Sequence, residues 1–595
     1  MAVYTPPLRD MEFALAELAG LDDLATLPGY EEATPELVAS VLEEAGRIAA
    51  NVVAPLNQTG DRQGVRLENG AVVTADGWKD AYRTLVDGNW IGLAADPRWG
   101  GMGLPGLVAM AVGEMWDSAN MAFGLWPLLT QGAIHAIEAC AAEEQKALYL
   151  PRLVSGEWTG TMNLTEPAAG SDLGAVRTKA VPNGDHYLIS GQKIFITYGE
   201  HDMAENIVHL VLARTPTAPP GVKGISLFIV PKFLVAADGS LGPRNDVHCI
   251  ALEHKLGIHA SPTCVMAYGD AGGAVGHLVG EENRGLEYMF VMMNNARLTV
   301  GREGLAIAER AYQQALSYAR ERVQGKPLGF AQPAPIVEHP DVRRLLMTMK
   351  SHVEAMRALV YVEAAALDRA SRHPDPAARV AAKAYAEFLT PVVKGWCTER
   401  GFDVTSMGVQ VHGGMGFMEE TGACQHLRDA RITPIYEGTT AIQGNDLINR
   451  KILRDQGATA RAVLAEAAAL ATELGASGDE ALAAIGAELA PAVEAALAAI
   501  AWVIEAAPKD PRLPAAAAVP LIDLLGLVLG AHQLAKGARA ARAHIDGGQG
   551  DSGFHQAKLD TARFFATGLL PEAASLRARI VRGSGSVMSV PADRL

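Results

Sequence analysis

The sequence is poor in the features that mark nucleic-acid-binding, disulfide-rich and zinc proteins. Its 51 Lys and Arg residues are outnumbered by 67 Asp and Glu residues, which gives a formal net charge of −16. Binding to phosphate backbones requires clustered cations, so this charge balance argues against a nucleic acid as partner. The five cysteines are scattered and include no CxxC pair, which argues against a disulfide framework and against a metal site.

The chain also has little that would carry it into or across a membrane. Its N-terminus has no basic segment followed by an apolar run, so we expect no secretory signal. The most apolar run, residues 514–531, contains Pro520 and Asp523, and we expect it to be too short and too interrupted to span a bilayer. These absences predict a cytoplasmic protein without stable membrane insertion.

Hydrophobic periodicity divides the 595 residues into four segments. Apolar residues recur at helical spacing over residues 1–157, whereas residues 158–282 contain short β-branched runs bounded by Gly, Pro and Asp. Helical spacing returns over 283–455 in long stretches joined by short turns, and residues 456–595 are Ala-rich and helical. The sequence predicts an α+β multidomain protein: an N-terminal α-helical domain, a central antiparallel β-sheet domain, a four-helix bundle and an extra C-terminal helical domain.

The same periods predict individual elements in the central and bundle segments. Strands are predicted over 186–198, 206–213, 224–230 and 264–268. Long helices are predicted over 286–323, 341–371, 377–411 and 435–454.

One glycine pattern imitates a dinucleotide-binding fingerprint. Gly101, Gly103 and Gly106 have the spacing GxGxxG. That fingerprint works only between a strand and a helix, and these glycines follow Pro97 and surround Pro105 in a region without such a unit. We interpret the pattern as a structural loop.

Two motifs lie where helix gives way to sheet. In MNLTEPAAGSDLG (162–174), Thr165 and Ser171 offer hydroxyls, and the small residues between them permit a ligand to approach the backbone. A turn with a Ser or Asx cap explains the same letters. In GQKIFITYG (191–199), Phe195 and Thr197 are expected on one face of a strand, where they suit a flat cofactor or an ordinary sheet surface equally well.

Three charged residues stand out in the bundle segment. Arg297 lies in an apolar stretch, where a buried guanidinium needs a phosphate-bearing ligand or an internal carboxylate. Arg322 marks a helix end, where a cation favours the helix dipole in any case. Glu437 lies between Tyr436 and Gly438; desolvation in a cleft would raise its pKa and suit it to act as a general base. The alternative is a glutamate that only interacts with a helix N-terminus.

Together these motifs resemble the acyl-CoA dehydrogenase family. The segments TEPAAGSD (165–172), GQKIFIT (191–197), KLGIHASPT (255–263), the NNAR helix (294–297), VQVHGGMGF (409–417) and IYEGTT (435–440) occur in the family's order and spacing. The resemblance covers residues from about 40 to 455 and implies FAD as cofactor and an acyl-CoA as substrate. It also implies oxidation to a trans-2-enoyl-CoA, with electrons passed to an electron-transfer flavoprotein.

The resemblance assigns roles to individual residues. Glu437 aligns with the catalytic base, because Ala296 occupies the position that supplies the base in some branches. The residues implied around the flavin ring are Met162, Leu164, Thr165, Ser171, Phe195 and Thr197. Those implied at the adenine and pyrophosphate half, in part from a neighbouring subunit, are Arg322, Gln410, Gly413, Gly414 and Thr439. Those implied to contact the substrate are Ser171, Arg297, Tyr436 and Gly438.

Several positions depart from the family pattern or are absent from its short members. Phe195 replaces the more usual Trp, His259 replaces an Arg, and a one-residue deletion leaves Gln324 without a role. Residues 456–595 resemble an extended subfamily that includes 3-(methylthio)propanoyl-CoA and some fatty acyl-CoA dehydrogenases, which tend to be homodimers. No motif indicates the length of the acyl chain of the substrate. The alternatives are an acyl-CoA oxidase that uses O₂ and a non-catalytic acyl-CoA-binding protein of the same fold.

Overall fold

The structure, a computed structural model, describes residues 4–595 and follows the predicted order of helices, sheet, helices and further helices. The chain forms two compact units. One unit contains residues 47–104 and 119–296. The other contains the described residues up to Gly46, residues 105–118 and residues 297–595.

The N-terminal segment is largely helical. Its α-helices are Leu8–Phe13, Leu21–Ala25, Pro35–Ile48, Leu56–Gln63, Trp78–Asp87, Gly106–Ala119, Met121–Cys140 and Glu143–Ser155. A small hairpin, Arg66–Glu68 with Ala71–Val73, interrupts them. Gly101 and Gly103 of the GxGxxG pattern lie in a loop between the short helical turn Pro97–Trp99 and the helix that Gly106 begins, and a Cβ on Gly101 would lie 2.0 Å from the Ala95 carbonyl oxygen. The pattern is therefore a structural loop, as predicted.

The central segment forms an eight-stranded sheet whose strands we number in chain order. They are β1 (Trp158–Asn163), β2 (Lys179–Asn183), β3 (His186–Thr197), β4 (Asn206–Ala213), β5 (Ser226–Pro231), β6 (Val247–Leu252), β7 (Thr263–Tyr268) and β8 (Ala274–Leu278). The order is β6-β7-β3-β8-β5-β4-β1, with β2 beside β3. All pairs are antiparallel except β1 with β4, which corrects the prediction of a purely antiparallel sheet. A hairpin, Phe233–Val235 with Leu241–Arg244, lies outside this sheet.

Three long helices make up most of the bundle: the first bundle helix Gly285–Glu321, the second Pro340–Arg372 and the third Pro376–His412. The third begins where the Asp375 side chain accepts a hydrogen bond from the Ala377 N–H at 2.9 Å, with proline in the first turn. The helix predicted over 435–454 is wrong at its start. Helical structure begins only at Thr440, in Thr440–Asp446, and continues as the π-helical turn Leu447–Ile452.

The remaining helices lie between and after these elements. They are Ala423–Ala430, Ala458–Gly475, Glu480–Ala506, Arg512–Ala516, Ala518–Asp546, Ser552–Phe564, Glu572–Ala578 and Ser584–Ser589. Two of them, Glu480–Ala506 and Ala518–Asp546, have the length and apolar composition of a membrane span. The run over residues 514–531 is interrupted at Ala517, between the helices Arg512–Ala516 and Ala518–Asp546, and not at Pro520 or Asp523 as expected. Pro520 lies in the first turn of the second helix, where proline is tolerated. That helix packs on the second and third bundle helices, and 83% of its apolar window is buried, so packing accounts for its composition.

The bundle core contains a carboxyl group that we expect to make stability depend on pH. Glu363 is fully buried; Thr390 Oγ1 donates to its Oε1 at 2.6 Å, and its Oε2 has no partner among the described residues. Burial raises the pKa of Glu363 to about 8. Because this pKa lies above the unfolded value, the folded state is favoured at low pH, and this contribution is lost as pH rises through about 8.

We therefore predict that Glu363→Gln, which mimics the protonated acid, makes the free energy of unfolding less dependent on pH. The wild type should lose stability between about pH 5 and pH 8 at up to about 1.4 kcal/mol per pH unit from this group. The measurement is urea unfolding of both proteins at several pH values. Parallel pH curves for the two proteins would contradict the prediction.

Candidate active site

Glu437 lies in a strained turn between the helices Ala423–Ala430 and Thr440–Asp446. Its φ is 53°, and that of the following Gly438 is 91°, so two consecutive residues adopt the left-handed region. Glutamate rarely occupies that region, and such strain is concentrated at functional sites. The φ of Gly438 favours glycine there, and a Cβ at that position would lie 2.7 Å from Gln443 Nε2, so this side chain would have to shift.

Three side chains hold this turn in place. Lys394 Nζ donates to the Thr433 carbonyl at 2.9 Å. Gln443 Nε2 donates to the carbonyls of Glu437 and Gly438, each at 3.2 Å. At the far end, Thr440 Oγ1 donates to Glu399 Oε1 at 2.6 Å. The turn is thus bound at its start, middle and end by residues of its own unit.

The charge state of Glu437 is set by burial and by two cations. Burial raises its pKa to about 7, against the opposing effects of Lys394 and then Arg297. Within residues 4–595 no group donates a hydrogen bond to its carboxylate. The carboxylate is therefore available to take a proton near neutral pH, which suits a general base.

The alternative role for Glu437, interaction with a helix N-terminus, receives little support. The N-cap of Thr440–Asp446 is Thr439, whose side chain accepts a hydrogen bond from the Ile442 N–H at 3.4 Å. That helix has only seven residues, and Glu437 precedes its cap. Thr439, which the resemblance assigns to the cofactor phosphates, thus has a structural role as well.

A second acid, Glu303, lies next to this site and was missed by the sequence argument. The Tyr436 hydroxyl donates to Glu303 Oε2, while Oε1 has no partner in the described chain. Burial, followed by the nearby Asp117, raises the pKa of Glu303 to about 8. Asp117 is paired with Arg302 Nε at 2.8 Å. Tyr436, predicted to contact the substrate, therefore directs its hydroxyl to this internal acid.

The sequence predicted either a phosphate-bearing ligand or an internal carboxylate as the partner of Arg297, and an internal carboxylate is present. Its Nη1 lies 3.6 Å from Asp446 Oδ2, and the side chain is almost completely buried. Its Nε has no acceptor within the described residues. The internal carboxylate accounts for the burial of Arg297, and contact with CoA remains a prediction.

The residues assigned to the adenine half of the cofactor lie at helix ends and are exposed. Arg322 follows the first bundle helix, and its Nη2 donates to Gln324 Oε1 at 3.3 Å. Gln410 is in the last turn of the third bundle helix, and Gly413, with φ of 60°, ends that helix next to Gly414. Their contact with a cofactor remains a prediction.

The residues assigned to the flavin ring belong to the other unit and lie on two segments bonded to each other. The Ile194 N–H donates to the Thr165 carbonyl at 2.9 Å, and Lys193 Nζ donates to the Leu164 carbonyl at 3.0 Å. Lys193 also pairs with Glu166 Oε1 at 2.9 Å, and both side chains are buried. This contact ties the TEPAAGSD loop to strand β3.

Strand β3 is distorted at the aromatic residue. Ile194 and Phe195 together face Val265 of β7, and Phe195 has φ of 60°. The regular alternation assumed for Phe195 and Thr197 is therefore interrupted by a bulge. The Phe195 side chain is 58% exposed, which is unusual for phenylalanine. Of the other assigned residues, Met162 and Leu164 are buried, Thr165 and Thr197 are half-buried, and Ser171 is exposed.

Comparison with known proteins gives one family throughout. Four family profiles match in succession: acyl-CoA dehydrogenase N-terminal domain (38–157), middle domain (161–271), C-terminal domain (283–453) and acetyl-CoA dehydrogenase C-terminal like (459–591). The chain is 51% identical to the 3-methylmercaptopropionyl-CoA dehydrogenase of Ruegeria pomeroyi, over 98% of this chain and 99% of that protein. It is 35% identical to the broad-specificity linear acyl-CoA dehydrogenase FadE5 of Mycobacterium tuberculosis, over 99% of each. An acyl-CoA dehydrogenase from Bacillus anthracis, solved with FAD, has a similar fold (TM-score 0.73, 23% identity, 98% of this chain and 92% of that one).

Proposed function

Since the chain belongs to the acyl-CoA dehydrogenase family, we propose that it converts an acyl-CoA thioester into the trans-2-enoyl-CoA, with Glu437 as the base that removes the α-proton. One observation carries this proposal: a strained turn presents a half-buried carboxylate with a pKa of about 7 and no hydrogen-bond donor among the described residues. Such a group accepts a proton at neutral pH and gives it up again.

The backbone of the same turn supplies a second contribution. The Glu437 N–H has no acceptor within residues 4–595 and is free to donate to the thioester carbonyl. A donor at that oxygen stabilises the negative charge that develops as the α-proton leaves. On this proposal Glu437 has two roles: its carboxylate accepts the α-proton, and its N–H donates a hydrogen bond to the thioester carbonyl.

Acyl-CoA dehydrogenases use FAD, and the residues of the β-sheet unit fit a flat ring. Phe195 offers a largely exposed aromatic side chain on a strained bulge, and Thr165 and Thr197 are half-buried residues that carry hydroxyls. FAD, when bound, supplies the acceptor for the hydride that leaves Cβ. On this proposal Met162, Leu164, Thr165, Ser171, Phe195 and Thr197 hold the ring.

We propose 3-(methylthio)propanoyl-CoA as the preferred substrate and short- or medium-chain fatty acyl-CoA as the runner-up. The support is the 51% identity to the Ruegeria pomeroyi enzyme over nearly the full length of both chains, against 35% to the broad-specificity linear enzyme. No described residue reports the chain length by itself.

A matched substrate panel tests the proposal. Pentanoyl-CoA replaces the sulfur of 3-(methylthio)propanoyl-CoA by CH₂, so the pair isolates recognition of the sulfur. We expect the sulfur substrate to have the higher kcat/KM in a ferrocenium-type dye assay, by about tenfold, as expected for a contact worth about 1.4 kcal/mol. Equal kcat/KM values for the two substrates would contradict the proposed preference for 3-(methylthio)propanoyl-CoA. Peroxide formation at the rate of turnover would identify an oxidase, and a colourless, inactive protein would identify an acyl-CoA-binding protein.

We further propose a cytoplasmic homodimer that passes electrons to an electron-transfer flavoprotein. The turn after the third bundle helix exposes two large apolar side chains, Met415 at 50% and Phe417 at 79%. Exposed apolar surface of this kind is typical of contact with a partner, here a second copy. Light scattering that gives the mass of one chain would contradict the dimer.

A further inference from the structure

Lys394 is a buried cation in the apolar middle of the third bundle helix. Its side chain is 0% exposed, and its neighbours in sequence include the buried Val393 and Trp396. Among the described residues no carboxylate lies within salt-bridge distance of its ammonium group, whose hydrogen bond goes to the Thr433 carbonyl. Burying an ammonium group without a direct ion pair is costly, so a compensating role is expected.

The position of that hydrogen bond connects Lys394 with the base. Thr433 opens the turn that carries Glu437, and Lys394 Nζ binds its carbonyl at 2.9 Å. The same helix holds the end of the turn through Glu399, which accepts from Thr440 Oγ1 at 2.6 Å. One helix thus fixes both ends of a segment whose backbone is strained in the middle.

We propose that Lys394 is a positioning residue for proton abstraction, which anchors the turn that presents Glu437 and carries a positive charge near its carboxylate. This inference rests on the function proposed above. It gives Lys394 two separable tasks, a hydrogen bond to Thr433 and a positive charge near Glu437.

The surrounding charges support the second task. Of the charged groups that act on Glu437, Lys394 lowers its pKa most, followed by Arg297 of the first bundle helix. Burial lowers the pKa of Lys394 itself to about 7, against the opposing effects of Glu437, Glu303 and Glu399. The helix Ala518–Asp546 packs on the same part of the third bundle helix, but its Asp523 pairs with Arg400 at 3.5 Å. Lys394 and Glu437 therefore each favour the charged form of the other.

Three substitutions separate the two tasks. Lys394→Met removes both the charge and the hydrogen bond, Lys394→Gln removes the charge and keeps a donor, and Lys394→Arg keeps both. Removal of an opposite charge raises the pKa of a carboxyl group by about one unit or more. We therefore expect the acid limb of kcat/KM against pH to move up by about one unit in the Met and Gln variants.

At pH 7 this shift corresponds to a loss of about fivefold to tenfold. In Lys394→Gln the rate should be recovered near pH 9 with KM little changed, whereas Lys394→Met, which also lacks the hydrogen bond to Thr433, should show the same shift and a lower rate at every pH. Lys394→Arg should keep the wild-type limb. The matched control is Lys536→Met, which removes a partly buried lysine of the same unit, near Glu466 instead of Glu437, and should leave the limb unmoved. Flavin content and thermal unfolding verify that each variant is folded.

The result that would overturn the inference is an unmoved acid limb in both charge-removing variants, or an equal loss at every pH, which indicates a purely structural lysine. This failure is distinguishable from failure of the proposed function. If Glu437→Gln is inactive but the acid limb of kcat/KM against pH is unmoved in Lys394→Met, the proposed role of Lys394 is wrong and that of Glu437 stands. If Glu437→Gln is fully active, Glu437 is not the base, and the proposed role of Lys394 is wrong as well.

Discussion

Replacement of Glu437 by glutamine is expected to lower kcat by about a thousandfold or more, because an amide cannot accept the α-proton. Glutamine has nearly the same shape as glutamate, and Gln443 holds the turn through the backbone carbonyls of residues 437 and 438, which are unchanged. FAD content and acyl-CoA affinity should therefore stay close to wild type. The measurements are dye reduction under saturating substrate, the flavin absorbance of the purified protein and a binding titration with the enoyl-CoA product.

Glu363→Gln is the matched control for this loss. It makes the same chemical change at another buried glutamate of the same unit, where Thr390 is the hydrogen-bonding partner and Glu437 is not involved. Its kcat at pH 7 should equal that of the wild type. If Glu437→Gln kept full activity, the assignment of the base would be wrong.

Helices with a regular apolar period were the most predictable part of the fold. The three long bundle helices begin and end within a few residues of the predicted positions, because burial of one face sets the period directly. The same logic failed at residues 435–439, where apolar and polar residues keep a helical spacing but the backbone turns left-handed at Glu437 and Gly438. The sequence contains a local signal for this turn, the glycine after the glutamate, although a glycine alone does not fix φ.

The β-sheet unit shows a different limit. The β-branched residues predicted several of the strands. The parallel pairing of β1 with β4 depends on which strands lie side by side, and a local sequence pattern does not determine that. The bulge at Phe195 likewise comes from the register of β3 against β7. Family resemblance predicts that Phe195 belongs to the flavin site, whereas the alternation argument predicted a regular strand.

The charged residues that complete the site were the least predictable. Lys394 lies in an apolar stretch of a long helix, and Glu303 follows Arg302 in another. In such a stretch the sequence is equally compatible with a charged residue at the surface and with a paired charge in the core. Their significance depends on burial and on groups distant in sequence, such as Thr433 for Lys394 and Tyr436 for Glu303. A helical wheel that places the charge on the buried face was the one sequence signal available.

Lys193→Met is expected to destabilise the β-sheet unit by about 3 kcal/mol or more, because it leaves Glu166 buried without its cation. It also removes the hydrogen bond from Lys193 Nζ to the Leu164 carbonyl, which ties the TEPAAGSD loop to β3. On the proposed function this loop lines the flavin ring, so FAD should be lost at a lower urea concentration than in the wild type. Unfolding followed by tryptophan and flavin fluorescence measures both effects.

The double variant Glu166→Gln, Lys193→Met separates the charge from the shape of this contact. With both ionised groups gone, no uncompensated charge remains buried, and the double variant should be more stable than Lys193→Met alone. The introduced glutamine would keep an oxygen for the Thr178 hydroxyl, which now donates to Glu166 Oε1 at 2.6 Å. A double variant clearly less stable than Lys193→Met would contradict the prediction, while a small residual loss is expected because the glutamine NH2 would face the Arg177 N–H, which now donates to Glu166 Oε2 at 2.7 Å.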